Sequence, residues 1–185
     1  NSNSNVALYL YDSDSNTITG SYAQNVLGQS IRLYIGSDFN AINLSTALGG
    51  GVNGAALEVS VSNWNSIFGS YLEGMSSNGA VLGPSANNNS ISLSTMIGNG
   101  FLTAALHIGN SDSNTVTTSY IYNPSYSALR LYVGADYNNV SLSTIIANSS
   151  NDYALILESA SSNTVANSYI QNNSGHAAYI IQNSS

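Results

Sequence analysis

The amino-acid sequence predicts an all-β solenoid: a single-stranded, right-handed parallel β-helix with 24–25 residues per coil and about 7.5 coils. Three observations carry that prediction. A short polar–apolar unit recurs along the chain at a nearly constant interval. A second, strand-like unit falls between its copies. Apolar residues nowhere keep a helical spacing over the length of a helix.

The first unit reads Asn-x-[Ile/Val]-x-x-Ser-x-aliphatic. Its asparagines are Asn16, Asn40, Asn65, Asn89, Asn114, Asn138 and Asn163, at spacings that alternate between 24 and 25. The branched residue two places on is Ile18, Ile42, Ile67, Ile91, Val116, Val140 or Val165. The serine is Ser21, Ser45, Ser70, Ser94, Ser119, Ser143 or Ser168. In the second unit apolar residues alternate with variable ones, as in Ala56-Leu57-Glu58-Val59, Ala105-Leu106-His107-Ile108 and Ala128-Leu129-Arg130-Leu131. A period of two means strand, and clusters of Gly, Asn and Ser between the units mean turns. Two or three short strands in such an interval fit one turn of a β-helix. A propeller blade needs about 40 residues, and a leucine-rich repeat needs a Leu pattern and a helical half that are both missing.

These Asn-x-Ile rungs resemble the NosD-like, pectin-lyase-like right-handed β-helix superfamily over nearly the whole chain. The resemblance implies the fold. It does not select an activity, because that superfamily includes lyases, hydrolases, adhesins and structural proteins. Coils stacked at ~4.8 Å would make a rod of roughly 36 Å, with Ile, Val and Leu columns inside. The Asn column is expected at a bend, its amides hydrogen-bonded from rung to rung, and the Ser column at a turn.

Two longer periods lie above the coil. Ser-Tyr recurs at Tyr22, Tyr71, Tyr120 and Tyr169, and Leu-Ser-Thr at Thr46, Thr95 and Thr144, all 49 residues apart. Arg32-Leu33-Tyr34 returns as Arg130-Leu131-Tyr132, 98 residues on, and Asp14 and Asp38 return as Asp112 and Asp136. A duplicated four-coil block suggests a single domain, 1–185, cut from a longer array.

Composition narrows the function. Only 6% of residues are charged, against roughly 25% in average globular proteins. Lysine is absent, Arg32 and Arg130 are the only arginines, and the net charge is −7. No basic patch exists to hold nucleic acid or an anionic membrane surface. No apolar run approaches the roughly 18 residues of a membrane-spanning helix. Without cysteine there are no disulfides or thiolate metal sites.

A catalytic site should break the repeat, since one substrate docks in one place. The best-placed charges instead obey it. The residues without a counterpart are Asp12, Glu58, Glu73, His107, Asp152, Glu158 and His176, and they read as scattered along the coils. The two arginines lie four coils apart, roughly 19 Å by rung spacing, too far to share one acidic sugar. Asp14 and Asp38 should share a column, as should Asp112 and Asp136. Glycosidase carboxylates stand about 5–9.5 Å apart, but two identical pairs look structural. The same four aspartates are candidate Ca²⁺ ligands, since a hard cation offsets stacked carboxylates; otherwise they are solvated turn residues. No other cofactor is expected. A His-based metal site is disfavoured by the separation of His107 and His176. An ice-binding Thr array is disfavoured because Tyr interrupts the Thr column.

The expectation is therefore a non-enzymatic structural or adhesive protein of the cell surface or extracellular space. It would self-associate through its ends and through Tyr/Leu faces, with Tyr22, Tyr71, Tyr120 and Tyr169 as the assembly surface. Its first and last coils carry the repeat's apolar strand, and Ser185 falls just before a further rung would begin. The alternative is a carbohydrate-binding or carbohydrate-cleaving β-helix, with surface carbohydrate as partner. A cleft gathering three or more non-repeating polar residues would favour it.

Overall fold

A computed structural model describes residues 6–182. Ser185 lies outside the described residues. The chain winds as a right-handed parallel β-solenoid, and each coil contributes to three sheets.

The first sheet stacks β1 (Val6–Tyr11), β4 (Gln29–Tyr34), β7 (Leu57–Ser60), β10 (Ala80–Leu82), β13 (Leu106–Gly109), β16 (Leu129–Tyr132), β19 (Tyr153–Glu158) and β22 (His176–Ile181). The second stacks β2 (Thr17–Thr19), β5 (Ala41–Asn43), β8 (Ser66–Phe68), β11 (Ser90–Ser92), β14 (Thr115–Thr117), β17 (Asn139–Ser141) and β20 (Thr164–Ala166). The third stacks β3 (Tyr22–Asn25), β6 (Thr46–Gly49), β9 (Tyr71–Gly74), β12 (Thr95–Gly98), β15 (Tyr120–Asn123), β18 (Thr144–Ala147) and β21 (Tyr169–Asn172). The expected two or three strands per coil are thus three, and no described residue is helical.

Alternation places the core as the sequence predicts. Ile42, Ile67, Ile91, Val116 and Val140, inward from the second sheet, are fully buried. They meet Leu72, Met96, Ile121 and Ile145 from the third sheet and two Leu/Ile columns from the first. Ala80 occupies a place that its neighbours Leu57 and Leu106 fill with larger side chains.

At the corners between sheets, side chains add to the backbone hydrogen bonds that run from coil to coil. The backbone N–H of each ladder asparagine, from Asn16 to Asn138, donates to the side-chain oxygen of the next, at 2.8 Å throughout. Each serine from Ser21 to Ser143 donates its N–H to the hydroxyl of the next serine at 3.1–3.3 Å. Buried backbone donors are thereby satisfied, which is what lets polar corners sit against an apolar core.

The chain turns these corners with left-handed residues. The residue before each ladder asparagine has φ of 57–59°: Ser15, Phe39, Trp64, Asn88, Ser113, Tyr137 and Ser162. The next bend runs Gly20, Leu44, Gly69, Leu93, Thr118, Leu142 and Asn167 at 49–58°. Gly69 also makes room, since a Cβ there would lie 2.8 Å from Leu44 Cδ2. Leucine thus alternates with Gly20, Gly69, Thr118 and Asn167 at this bend, and Gly69 packs under Leu44.

Candidate functional site

The four candidate Ca²⁺ ligands fall in one corner column with Asn63 and Asn87 between the pairs. The predicted neighbours are neighbours: the N–H of Asp38 donates to Asp14 Oδ1 at 2.8 Å, and that of Asp136 to Asp112 Oδ1 at 2.9 Å. Asp38 Oδ1 in turn accepts from the N–H of Asn63, and Asp136 Oδ1 from that of Ser161, both at 2.6 Å. Asn63 and Asn87 continue the same bonding with amide oxygens. One oxygen of each aspartate is thus engaged by the next coil's backbone. Asparagine can replace the carboxylate in that duty, so a ladder role accounts for the column without a cation. Among the described residues, no group of three or more His, Asp or Glu is placed to hold a metal ion.

Tyr22, Tyr71, Tyr120 and Tyr169 point outward from the third sheet, with Thr46, Thr95 and Thr144 between them. Each tyrosine pairs with the residue two places on. Tyr22 donates to Gln24 at 3.2 Å, Tyr71 to Glu73 at 2.8 Å and Tyr169 to Gln171, while Tyr120 stacks on Tyr122. Partial burial and then the Glu73 carboxylate push the Tyr71 hydroxyl up to about 12, so it stays a donor.

The charge-bearing surface is the outer face of the first sheet. Along one outward column stand Tyr9, Arg32, Glu58, Val81, His107 and Arg130. Arg32 meets Glu58 at 3.1 Å and lies 4.2 Å over the Tyr34 ring. Arg130 meets Glu158 at 2.9 Å and lies 4.2 Å over Tyr132. Glu58 and Glu158 lack a counterpart 98 residues away, yet they serve the two arginines alike. Glu58 stands in register with Arg32, and Glu158 with Tyr132, two residues further along. Of the residues read as scattered along the coils, Glu58, His107 and Glu158 lie on this one face, in coils that are not adjacent.

His107 is the most perturbed group on that face. Burial and then the neighbouring Arg130 cation lower its pKa to about 4, so it is neutral at pH 7. It lines a small pocket of about 190 Å³ with Asn78, Thr103, Tyr126 and Arg130. The pKa of Tyr126 is raised by burial and then by Asp152. The pocket therefore presents a neutral imidazole, a protonated phenol and an arginine already held by Glu158. It offers neither a free cation nor a charged base. Of the residues without a repeat counterpart, only His107 lines it, so the cleft that would favour an enzyme is not assembled there.

Sequence reasoning missed the two glutamates as arginine partners, and missed Phe39 and Trp64 entirely. The available signal for the latter was an aromatic residue directly before a ladder asparagine, where Ser or Asn stands in most coils.

A family profile described as "Right handed beta helix region" matches residues 55–185, well over half of the chain. The chain belongs to the right-handed β-helix family. This β-helix is similar in fold to two solved structures from Azotobacter vinelandii. With the mannuronan C-5 epimerase AlgE6 A-module it shares 14% identity at a TM-score of 0.59, covering 97% of this chain and 59% of that one. With the AlgE4 A-module it shares 13% identity at a TM-score of 0.54, covering 95% and 58%. The chain thus spans under two thirds of the length of either module. No curated protein sequence matches it.

Proposed function

We propose that this β-helix is a non-catalytic rod, a structural or adhesive segment of an extracellular or cell-surface filament, sheath or adhesin. The supporting observation is that its polar chemistry is consumed internally and periodically. Corner side chains bond the backbone of a neighbouring coil, and both arginines are neutralised from the following coil, Arg32 by Glu58 and Arg130 by Glu158. Every coil presents the donors and acceptors that the following coil receives, so coil-on-coil stacking suits self-association. The exposed Tyr22, Tyr169, Leu44, Leu93 and Leu142 add a lateral contact. The rod needs no cofactor, and its partners are further copies and surface carbohydrate.

Electron microscopy and sedimentation at high micromolar concentration test the reading. Filaments or concentration-dependent polymers are the expected result, and a monodisperse monomer throughout overturns it.

One observation favours a second reading, a polysaccharide-modifying enzyme: the fold is that of mannuronan C-5 epimerase A-modules, and His107, Tyr126 and Arg130 line one pocket. The engaged Arg130 argues against it, because a polyuronate needs a free cation. Turnover of mannuronan that disappears in His107→Ala would establish the second reading over the first.

A further inference from the structure

Phe39 and Trp64 occupy neighbouring coils at the corner before the second sheet, each at positive φ, +57° and +59°. Bulky side chains rarely adopt that backbone, and it costs on the order of 1–2 kcal/mol where they do. Burial does not offset the cost, since Phe39 is 60% and Trp64 56% exposed. Ser15, Asn88, Ser113 and Ser162 fill this position in four other coils and Tyr137, also exposed, in a fifth, so Phe39 and Trp64 are the two aromatics that stand in adjacent coils. The backbone conformation belongs to the corner in every coil, but two large exposed rings in adjacent coils are not needed to make it and do not serve the core.

The two rings are parallel to within 6°, with centroids 6.5 Å apart. That separation is toward the wide end of the roughly 4.5–7 Å range of aromatic pairs, so the rings form a platform more than a closed sandwich. Phe68, half exposed on the second sheet in the coil of Trp64, extends the apolar surface. Asp38 and Asn63 directly precede the rings. Each spends one oxygen on the ladder, while Asp38 Oδ2 and Asn63 Nδ2 have no protein partner among the described residues.

We infer that Phe39 and Trp64 form a binding platform for a neutral polysaccharide. Their ring faces take the apolar faces of successive pyranose units, and Asp38 and Asn63 bond their hydroxyls. The charge selects the class. No cation stands in this corner, Arg32 being held by Glu58 on the first sheet, and the aspartate ladder with a net charge of −7 repels polyuronates. The inference rests on the adhesive form of the reading above.

Trp64 is the chain's sole tryptophan, so its emission reports on the platform directly. The full 185-residue chain is titrated with the soluble hexamers of cellulose, chitin and mannan, with an alginate hexamer as the acidic comparison, and retention is measured on insoluble cellulose and chitin. A saturable emission change with at least one neutral hexamer and none with alginate is expected. Phe39→Ser should weaken the affinity about tenfold, the effect of one lost stacking contact. Trp64→Ser should abolish retention. Both variants restore a residue type found at this corner in other coils, and an unchanged melting curve shows that they fold. No emission change with any neutral hexamer, or undiminished retention of the double variant, overturns the proposal. Binding without filaments would leave the platform standing and remove the structural reading; filaments without binding would do the reverse.

Discussion

Replacing Asn89 with alanine removes one rung from the asparagine ladder at a point where it is buried on both sides. The Asn89 side-chain oxygen accepts from the Asn65 backbone N–H at 2.8 Å and from Asn65 Nδ2 at 3.1 Å, and its own Nδ2 donates to the Ser62 carbonyl at 3.1 Å. Asn65 is 1% exposed and Ser62 fully buried, so water cannot replace the lost partner. Each orphaned buried group costs about 1–3 kcal/mol. The backbone N–H and the Ser62 carbonyl cannot move, whereas Asn65 Nδ2 can turn aside. The expected loss is therefore about 3–5 kcal/mol, a large share of the roughly 5–15 kcal/mol that holds a typical domain folded. Asn16→Ala is the control. Asn16 is exposed and no described coil donates to its side chain, so about 0.5–1 kcal/mol is expected. Asn89→Asp should be no better than alanine, because it aims a buried carboxylate at the Ser62 carbonyl. Guanidinium unfolding measures the losses, and amide exchange at Asn65 shows whether its N–H has been orphaned. Equal losses for Asn16→Ala and Asn89→Ala, or a loss at Asn89 below about 1 kcal/mol, would refute the ladder argument.

Further outcomes follow from the same geometry. Ile91→Asn, at a fully buried position, should cost about 3 kcal/mol or more in denaturant unfolding, and a mild effect would mean the second sheet faces the other way. Asp38→Ala should cost about 1–3 kcal/mol by orphaning the Asn63 N–H, while Asp38→Asn should cost little. In the ladder account a chelator leaves the melting temperature of the wild type unchanged; a drop would instead assign Ca²⁺ to the aspartate pairs. His107 is held neutral in the fold, so the unfolded chain gains its proton first as pH falls. Its contribution, on the order of 2–3 kcal/mol, should be intact above pH 6.5 and lost between pH 6.5 and about 4. His107→Gln should flatten a urea-denaturation profile across that window. Gly69→Ala should cost about 1 kcal/mol from the left-handed backbone and the crowding of Leu44; thermal melts that show stabilisation would contradict the Leu-over-Gly packing.

Periodic features were legible in the sequence because a solenoid converts sequence interval directly into spatial neighbourhood. A residue 24 or 25 places on is the residue one coil away, as the asparagine and serine bonds demonstrate. The Asp14–Asp38 pairing could be read in that way. The surface was less legible, for a physical reason. Long side chains reach diagonally, so Glu158 serves Arg130 from two residues beyond the register that Glu58 uses for Arg32. Exact repetition of sequence is then a poor test for repetition of contact. The aromatic corner escaped for the opposite reason. Phe39 and Trp64 break the pattern at a position where the repeat tolerates many residue types, and only their shared ring orientation gives the break a meaning.

The two-coil period is the deeper structural unit, and packing explains why. At this left-handed corner leucine stands in every second coil, at Leu44, Leu93 and Leu142, and the coil after Leu44 leaves space for it at Gly69. On the third sheet, the coils of Gly20 and Gly69 pair Tyr with Gln or Glu, while those of Leu44 and Leu93 carry Thr with Leu or Ile. The ladder follows the same alternation. Nδ2 of Asn16, Asn65 and Asn114 reaches the next asparagine, whereas that of Asn40, Asn89 and Asn138 turns to a serine carbonyl. Small against large at one corner thus travels with polar against apolar at the next, and the outer surface becomes a row of ridges two coils, or about 9.6 Å, apart. Leu44, Leu93 and Leu142 are the exposed leucines of those ridges, with Gly69, Thr118 and Asn167 in the coils that follow them.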